Sequence, residues 1–239
     1  MRVLRLERAE FLAHYWRYRP GEHVAAFGPT QRAGKTHLLF QLLGATNREG
    51  LRTTAFCMKP RDKTVAQWSR ALEFREVPDW PPVVPPWQKP AGFTLWPRHT
   101  MDPGTDNAHI RKVFRKGMLD GYKRGKSILF LDEIFGICGE LDLTEDLLAI
   151  LTRGGGMGCG AWMATQKPSG TQQTSLPGFV FNCPTHMFLA PDNDKRNRRR
   201  YGELAGGVDP DLIEAETLRL NRFEFLYLNA SGEMAVIGP

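Results

Sequence analysis

The sequence predicts an α/β fold: a mainly parallel central sheet with helices on both faces. Two motifs and one pattern carry that expectation. An apolar stretch, HVAAF at 23–27, runs directly into GPTQRAGKT at 28–36 and on into the helical periodicity of KTHLLFQLLGA, which is the strand–loop–helix order of a phosphate-binding loop. A second apolar run, ILFLDE at 128–133, ends in two adjacent carboxylates. Around them, short β-type runs alternate with helical ones, which argues for crossover connections between parallel strands.

Composition fits a single domain over 1–239. Hydrophobic residues make up 41% of the 239, enough to bury a sizeable core. No run approaches the roughly 20 apolar residues of a membrane span, and the charged start MRVLRLERAEF lacks the apolar centre of a signal peptide. A soluble, cytoplasmic protein with no membrane span is expected. Cys57, Cys138, Cys159 and Cys183 form no C-x-x-C pair, and His14, His23, His37, His99, His109 and His186 show no metal-ligand spacing, which argues against a zinc site or a disulfide framework. The formal net charge of +6 favours a polyanionic partner such as nucleic acid.

In chain order, alternation, β-branched runs and flanking Gly and Pro place the elements. The aromatic segment HYWRYRP at 14–20 packs onto the body or stacks on a base. The strand at 23–27 and a helix at 35–45 frame the glycine loop. A strand at 53–58 and a helix at about 62–74 follow. Residues 77–90, VPDWPPVVPPWQKP, are too rich in proline for helix or sheet and open a surface insertion at about 77–106; Trp80 and Trp87 either pack back or dock a partner. Next come a strand at 93–96, a basic amphipathic helix at about 107–124, the strand ending in the acid pair, and a helix at about 143–151. The glycine stretch RGGGMGCG then leads into the strand AWMAT. A strand at 186–190, a helix over DNDKRNRRRYGEL and a terminal hairpin at about 222–238 complete the chain.

The glycine loop departs from G-x-x-x-x-G-K-[ST] at its mouth, where Pro29 replaces the first glycine and Gly28 comes one residue early. Its contact end is intact. Gly28, Pro29, Thr30, Gln31, Arg32, Ala33, Gly34, Lys35 and Thr36 would wrap the β-phosphate of ATP with inward N–H groups at the positive end of a helix. Lys35 would reach the β- and γ-phosphates, and the Thr36 hydroxyl would ligate Mg²⁺. Gly34 lets the backbone pass close to the phosphate. At the carboxyl end of a parallel strand, Asp132 would hold Mg²⁺ through water and Glu133 would polarise the attacking water. Gln166, directly after AWMAT, would contact the γ-phosphate or the lytic water. Taken singly, these residues are as well read as a helix start, capping acids and a polar strand end; in this order they describe a P-loop NTPase.

GPTQRAGKT, ILFLDE and TRGGGMGCGAWMATQKPS together resemble the core of the FtsK and HerA superfamily of ring-forming DNA-pumping ATPases, over roughly residues 23–200. The most specific part is the arginine and glycines leading into a strand that ends in Thr165, Gln166, Lys167, Pro168 and Ser169. The resemblance implies an additional-strand, RecA-like sheet with an extra strand between the loop strand and the acid strand. It also implies ATP hydrolysis at subunit interfaces and a homo-oligomeric ring, a hexamer, around double-stranded DNA. Superfamily members place an arginine in the neighbouring subunit's site. Arg153 is the leading candidate, its alternative being to cap the helix ending at Leu151. Arg196, Arg198, Arg199 and Arg200 compete for that role, or form a DNA-facing patch or a solvated face.

With no stretch set aside for membrane spans, a winged helix or an extra barrel, the chain most resembles the genome-packaging ATPases of icosahedral viruses with an internal membrane. Such a motor would dock on a capsid vertex or a membrane-associated portal protein. Gln31 and Arg32 stand where the superfamily usually has Gly and Ser, and an arginine in a loop lacking its first glycine is similar to the large terminase subunits of tailed phages instead. A conjugation or mobile-element pump and a non-motor ATP-binding assembly protein are the remaining readings; Glu133 argues against the last, since a pure binder needs no residue to activate water. The helix at 112–124 and the cluster at 196–200 are the candidate DNA contacts.

Overall fold

The structure, a computed structural model, describes residues 3–29, 33–46, 50–85, 87–165, 176–204 and 208–239. Among the described residues, ten strands run as β1 (Leu4–Leu6), β2 (Val24–Phe27), β3 (Arg52–Phe56), β4 (Phe74–Val77), β5 (Gly92–Leu95), β6 (Ser127–Leu131), β7 (Cys159–Thr165), β8 (His186–Leu189), β9 (Phe225–Asn229) and β10 (Met234–Ile237). The α-helices are α1 (Arg8–Glu10), α2 (Lys35–Thr46), α3 (Lys63–Ala71), α4 (Pro103–Arg124), α5 (Thr144–Met157), α6 (Phe179–Asn182), α7 (Lys195–Leu204) and α8 (Pro210–Arg219). Short π-turns follow α1 at Phe11–Tyr15 and precede α5 at Gly136–Glu140. The chain forms two units, one of residues 1–18, 23–45 and 164–239, the other of residues 19–22 and 46–163.

In the first unit, strands lie in the order β1, β10, β9, β8, β2. β2 pairs parallel with β8, from Val24 opposite His186 to Phe27 opposite Leu189, and all four residues of β2 are buried, as a strand covered on both faces requires. The expected hairpin is present as β9 and β10, antiparallel. It is no free flap, because β9 also pairs antiparallel with β8 and β10 holds β1 in parallel. The three-residue β1 is too short to leave a period in the sequence. Trp16 is buried and its ring lies 4.8 Å from that of His186 and 6.0 Å from that of Phe188, so this part of the 14–20 segment packs on β8.

In the second unit the order is β7, β6, β3, β5, β4, all parallel. β6 is buried at every position. Side chains cap the helices at their amino ends: Asp62 accepts from the N–H groups of Thr64 and Val65 ahead of α3, and Asp102 accepts from Gly104 ahead of α4, satisfying donors a helix cannot bond internally. Within the proline-rich run, Trp80 is buried under the Arg52 guanidinium, 5.0 Å from its ring centre, whereas Trp87 is 81% exposed. Among the described residues no helix is long and apolar enough to cross a membrane.

The helix expected at about 143–151 ends later: α5 continues through Arg153, Gly154, Gly155 and Gly156 to Met157 and stops at Gly158, whose φ of +73° ends it. Gly154 and Gly155 lie in close packing within this unit. A Cβ on Gly154 would lie 2.7 Å from the carbonyl oxygen of Cys159, and the backbone of Gly21 passes against Gly155.

Candidate phosphate loop and acidic pair

The loop belongs to the first unit. β2 delivers the chain to Gly28 at φ +153°, where a Cβ would meet that of Ala190 at 2.5 Å. Only glycine passes there, which explains why the loop's first glycine stands directly at the strand end. Gly34 has φ +81°, a conformation costly for any residue with a Cβ, and its carbonyl accepts the Leu38 N–H at 2.9 Å, beginning α2. Lys35 is buried, and its Nζ donates to the carbonyl oxygens of Gly28 at 3.1 Å and Pro29 at 2.6 Å. An ammonium group is thus held over the loop at the positive end of a twelve-residue helix, where the dipole favours an anion. Thr36 follows on the first turn. Thr30, Gln31 and Arg32 lie outside the described residues, as do Gln166, Lys167, Pro168 and Ser169.

The acidic pair belongs to the second unit and follows β6 directly. Asp132 is buried, and Oδ2 is 3.4 Å from Nζ of Lys59. Lys59 was not singled out by the sequence, although CMKPRD follows an expected strand, and the carboxyl end of a parallel strand is where α/β proteins place working groups. Its ammonium also lies 3.4 Å from Asp62. Burial opposes the charge on Lys59, but Asp132 and Asp62 outweigh it and raise its pKa above the usual value. The Lys59 carbonyl accepts from the Trp96 indole N–H at 2.8 Å, which fixes the backbone that carries the ammonium.

The arginine candidates separate. Arg153 is exposed on α5, four residues before its end, so it does not cap a helix end at Leu151. Arg198 is buried, donating to the Asp192 carbonyl oxygen at 2.9 Å and lying 3.9 Å from Glu214. It belongs to a polar knot in which the Asp192 carboxylate also accepts from Asn197 and Tyr201, and it drops out as a surface contact. Arg196 and Arg199 remain exposed, and Arg200 pairs with Glu203 at 2.9 Å. On α4, Arg111 and Arg115 pair with Asp142 and Asp146 at 2.9 and 3.0 Å, while Lys112, Lys116 and Lys123 are exposed.

No protein-family model and no curated protein matches the sequence. Solved structures do. B204, the DNA-packaging ATPase from Sulfolobus turreted icosahedral virus, aligns over 93% of this chain and 99% of its own, at 15% identity and a TM-score of 0.62. The genome-packaging NTPase B204 of Sulfolobus turreted icosahedral virus 2 in complex with AMPPCP aligns over 93% and 100%, at 13% identity and 0.60. The fold is that of a P-loop ATPase. The pCW3 conjugation coupling protein TcpA, solved with ATPγS, shares this P-loop fold over 90% of the present chain and 59% of its own, at 11% identity and a TM-score of 0.53. The mainly parallel sheet with helices, expected from the alternation of strand and helix runs, and the antiparallel C-terminal pair, expected from the alternating tail, are both present.

Proposed function

We propose that the chain is an ATP-driven DNA translocase, a viral genome-packaging motor that hydrolyses ATP at the subunit interfaces of a homo-oligomeric ring and pumps double-stranded DNA into a capsid. The observation that carries this is the loop after β2: Gly34 in the left-handed region, then a buried Lys35 ammonium at the start of α2, on a fold shared nearly end to end with a DNA-packaging ATPase. TcpA supports the second reading, a conjugation or mobile-element pump, but it is matched over 59% of its length, against 98–100% for the packaging ATPases.

In this reading Lys35 and the loop amides bind the β- and γ-phosphates, and Glu133 orients and polarises the attacking water. Gln166 contacts the γ-phosphate, and an arginine from the next subunit, Arg153, stabilises charge developing there. Mg²⁺ in phosphate-binding sites takes one or two protein ligands with phosphates and water for the rest, and the Asp132 carboxylate directly after β6 is a hard oxygen ligand of that kind. Thr36 and Asp132 would hold it, and the ion offsets negative charge on the phosphates. The ring is a hexamer, and a capsid vertex or portal protein is its docking partner. The exposed lysines of α4, with Arg196 and Arg199, are the candidate DNA contacts. Contacts to phosphates carry no sequence information, which suits a pump that must pass any sequence.

Filter binding of double-stranded DNA across a salt series tests the nucleic-acid half of the proposal. Affinity falls linearly on a log–log plot if phosphate contacts carry the grip; a flat line contradicts it.

A further inference from the structure

The turn at 221–224 is built with care and has no role in the chemistry above. Phe223 sits at φ +69°, a conformation that a bulky residue adopts only when its surroundings impose it. They do so here. Nη2 of the buried Arg8 donates to the Phe223 carbonyl oxygen at 2.6 Å, while Nη1 donates to Gln41 Oε1 on α2 at 3.2 Å. The Glu224 carboxylate accepts from the Asn221 N–H at 2.6 Å and lies 3.4 Å from Arg5. The Arg222 guanidinium stands 4.6 Å from the centre of the Phe223 ring.

The result is a ring placed against the phosphate loop. A Cβ built on Gly34 would lie 3.2 Å from Cδ1 of Phe223, yet Phe223 remains 38% exposed. A side chain serving only as a wedge gains most when fully covered. An aromatic ring held beside the loop with part of its surface open, and with an exposed guanidinium over it, offers a stacking partner to a flat π-system.

We infer that Phe223, assisted by Arg222, forms the nucleobase subsite, stacking on the base of the nucleoside triphosphate whose phosphates the loop takes. This inference rests on the nucleotide-binding reading and deepens it. A base–aromatic stack is sequence-tolerant, because every base has a π-face.

The test compares binding of Mg²⁺-ATP with binding of Mg²⁺-tripolyphosphate, which has the phosphates and no base, by titration calorimetry on the wild type, Phe223→Leu and Phe223→Trp. Leucine keeps apolar bulk over Gly34 and removes the π-face; tryptophan keeps both. Phe223→Leu is expected to weaken ATP binding about 5- to 150-fold and leave tripolyphosphate binding unchanged. Phe223→Trp is expected to retain ATP affinity, and the added indole emission to change with ATP and not with tripolyphosphate. Equal loss of both ligands in Phe223→Leu would make Phe223 a support for the loop and overturn the inference, and so would loss of neither. A wild type that binds neither ligand overturns the nucleotide reading itself, which separates the two failures.

Discussion

Replacing Gly34 by alanine adds one methyl group where the phosphate loop meets α2. At φ +81° the new Cβ places an L-residue in the left-handed region, at a cost of about 1–2 kcal/mol. The same carbon would stand 3.2 Å from Cδ1 of Phe223, so the ring must give slightly. Because Phe223 is 38% exposed, it has room to do so, and the backbone cost dominates. For a chain of this length that corresponds to a melting temperature lower by about 2–8 °C. The effect on function is larger, because in the proposed site the methyl group occupies the approach to the β-phosphate. Circular dichroism melts combined with titration of a fluorescent ATP analogue, well below the variant's melting temperature, read both effects. An unchanged melt would refute the left-handed conformation at Gly34, and an unchanged nucleotide affinity in a folded variant would refute its place against the phosphate.

Three further predictions follow from the second unit. Gly154→Ala is expected to destabilise by about 1–3 kcal/mol, because its Cβ meets the Cys159 carbonyl oxygen, whereas Gly156→Ala, on the same helix with nothing within 4 Å, is expected to stabilise by about 0.5–1 kcal/mol; urea denaturation of the pair would expose an error if both moved the same way. Lys59→Ala removes a half-exposed pairing with Asp132 and is expected to cost at most about 1 kcal/mol. Since the Lys59 pKa is raised in the folded state, that contribution is complete below the ordinary value of 10.5 and fades as pH climbs through the folded value; the difference between wild type and variant should stay constant from neutral pH to about 10 and close above it. Arg153→Ala should leave stability within about 0.5 kcal/mol and nucleotide binding intact, while hydrolysis by the proposed ring falls about a thousandfold or more, as steady-state phosphate release would show.

Legibility followed the strength of the local signal. β2, β6 and β8 were readable because each is a short apolar run bounded by turn residues, and α2 and α4 because their apolar residues recur at helical spacing. The helix runs past its expected end at about Leu151 because the glycines at 154–156 weaken helix propensity, while the constraint at Gly154 is tertiary: a Cβ there would lie 2.7 Å from the Cys159 carbonyl oxygen. α8 was missed although Asp209 and Pro210 are a helix start, with Asp209 accepting from the Asp211 N–H. β4 was hidden because Phe74 extended the apparent period of α3. Lys35, Thr36, Asp132 and Glu133 carry motifs whose chemistry fixes residue type and spacing, so sequence alone could nominate them. Lys59, Arg8 and Phe223 have no such spacing; their positions depend on contacts with residues 73, 33 and 189 places away in the chain, which no local pattern records.

The most direct test of the account is steady-state ATP hydrolysis with and without double-stranded DNA, for the wild type beside Glu133→Gln, at protein concentrations high enough to form rings. The account predicts hydrolysis that DNA accelerates, and a variant that binds ATP but does not turn it over. ATP binding without hydrolysis in the wild type, or hydrolysis that survives Glu133→Gln, would contradict the motor mechanism.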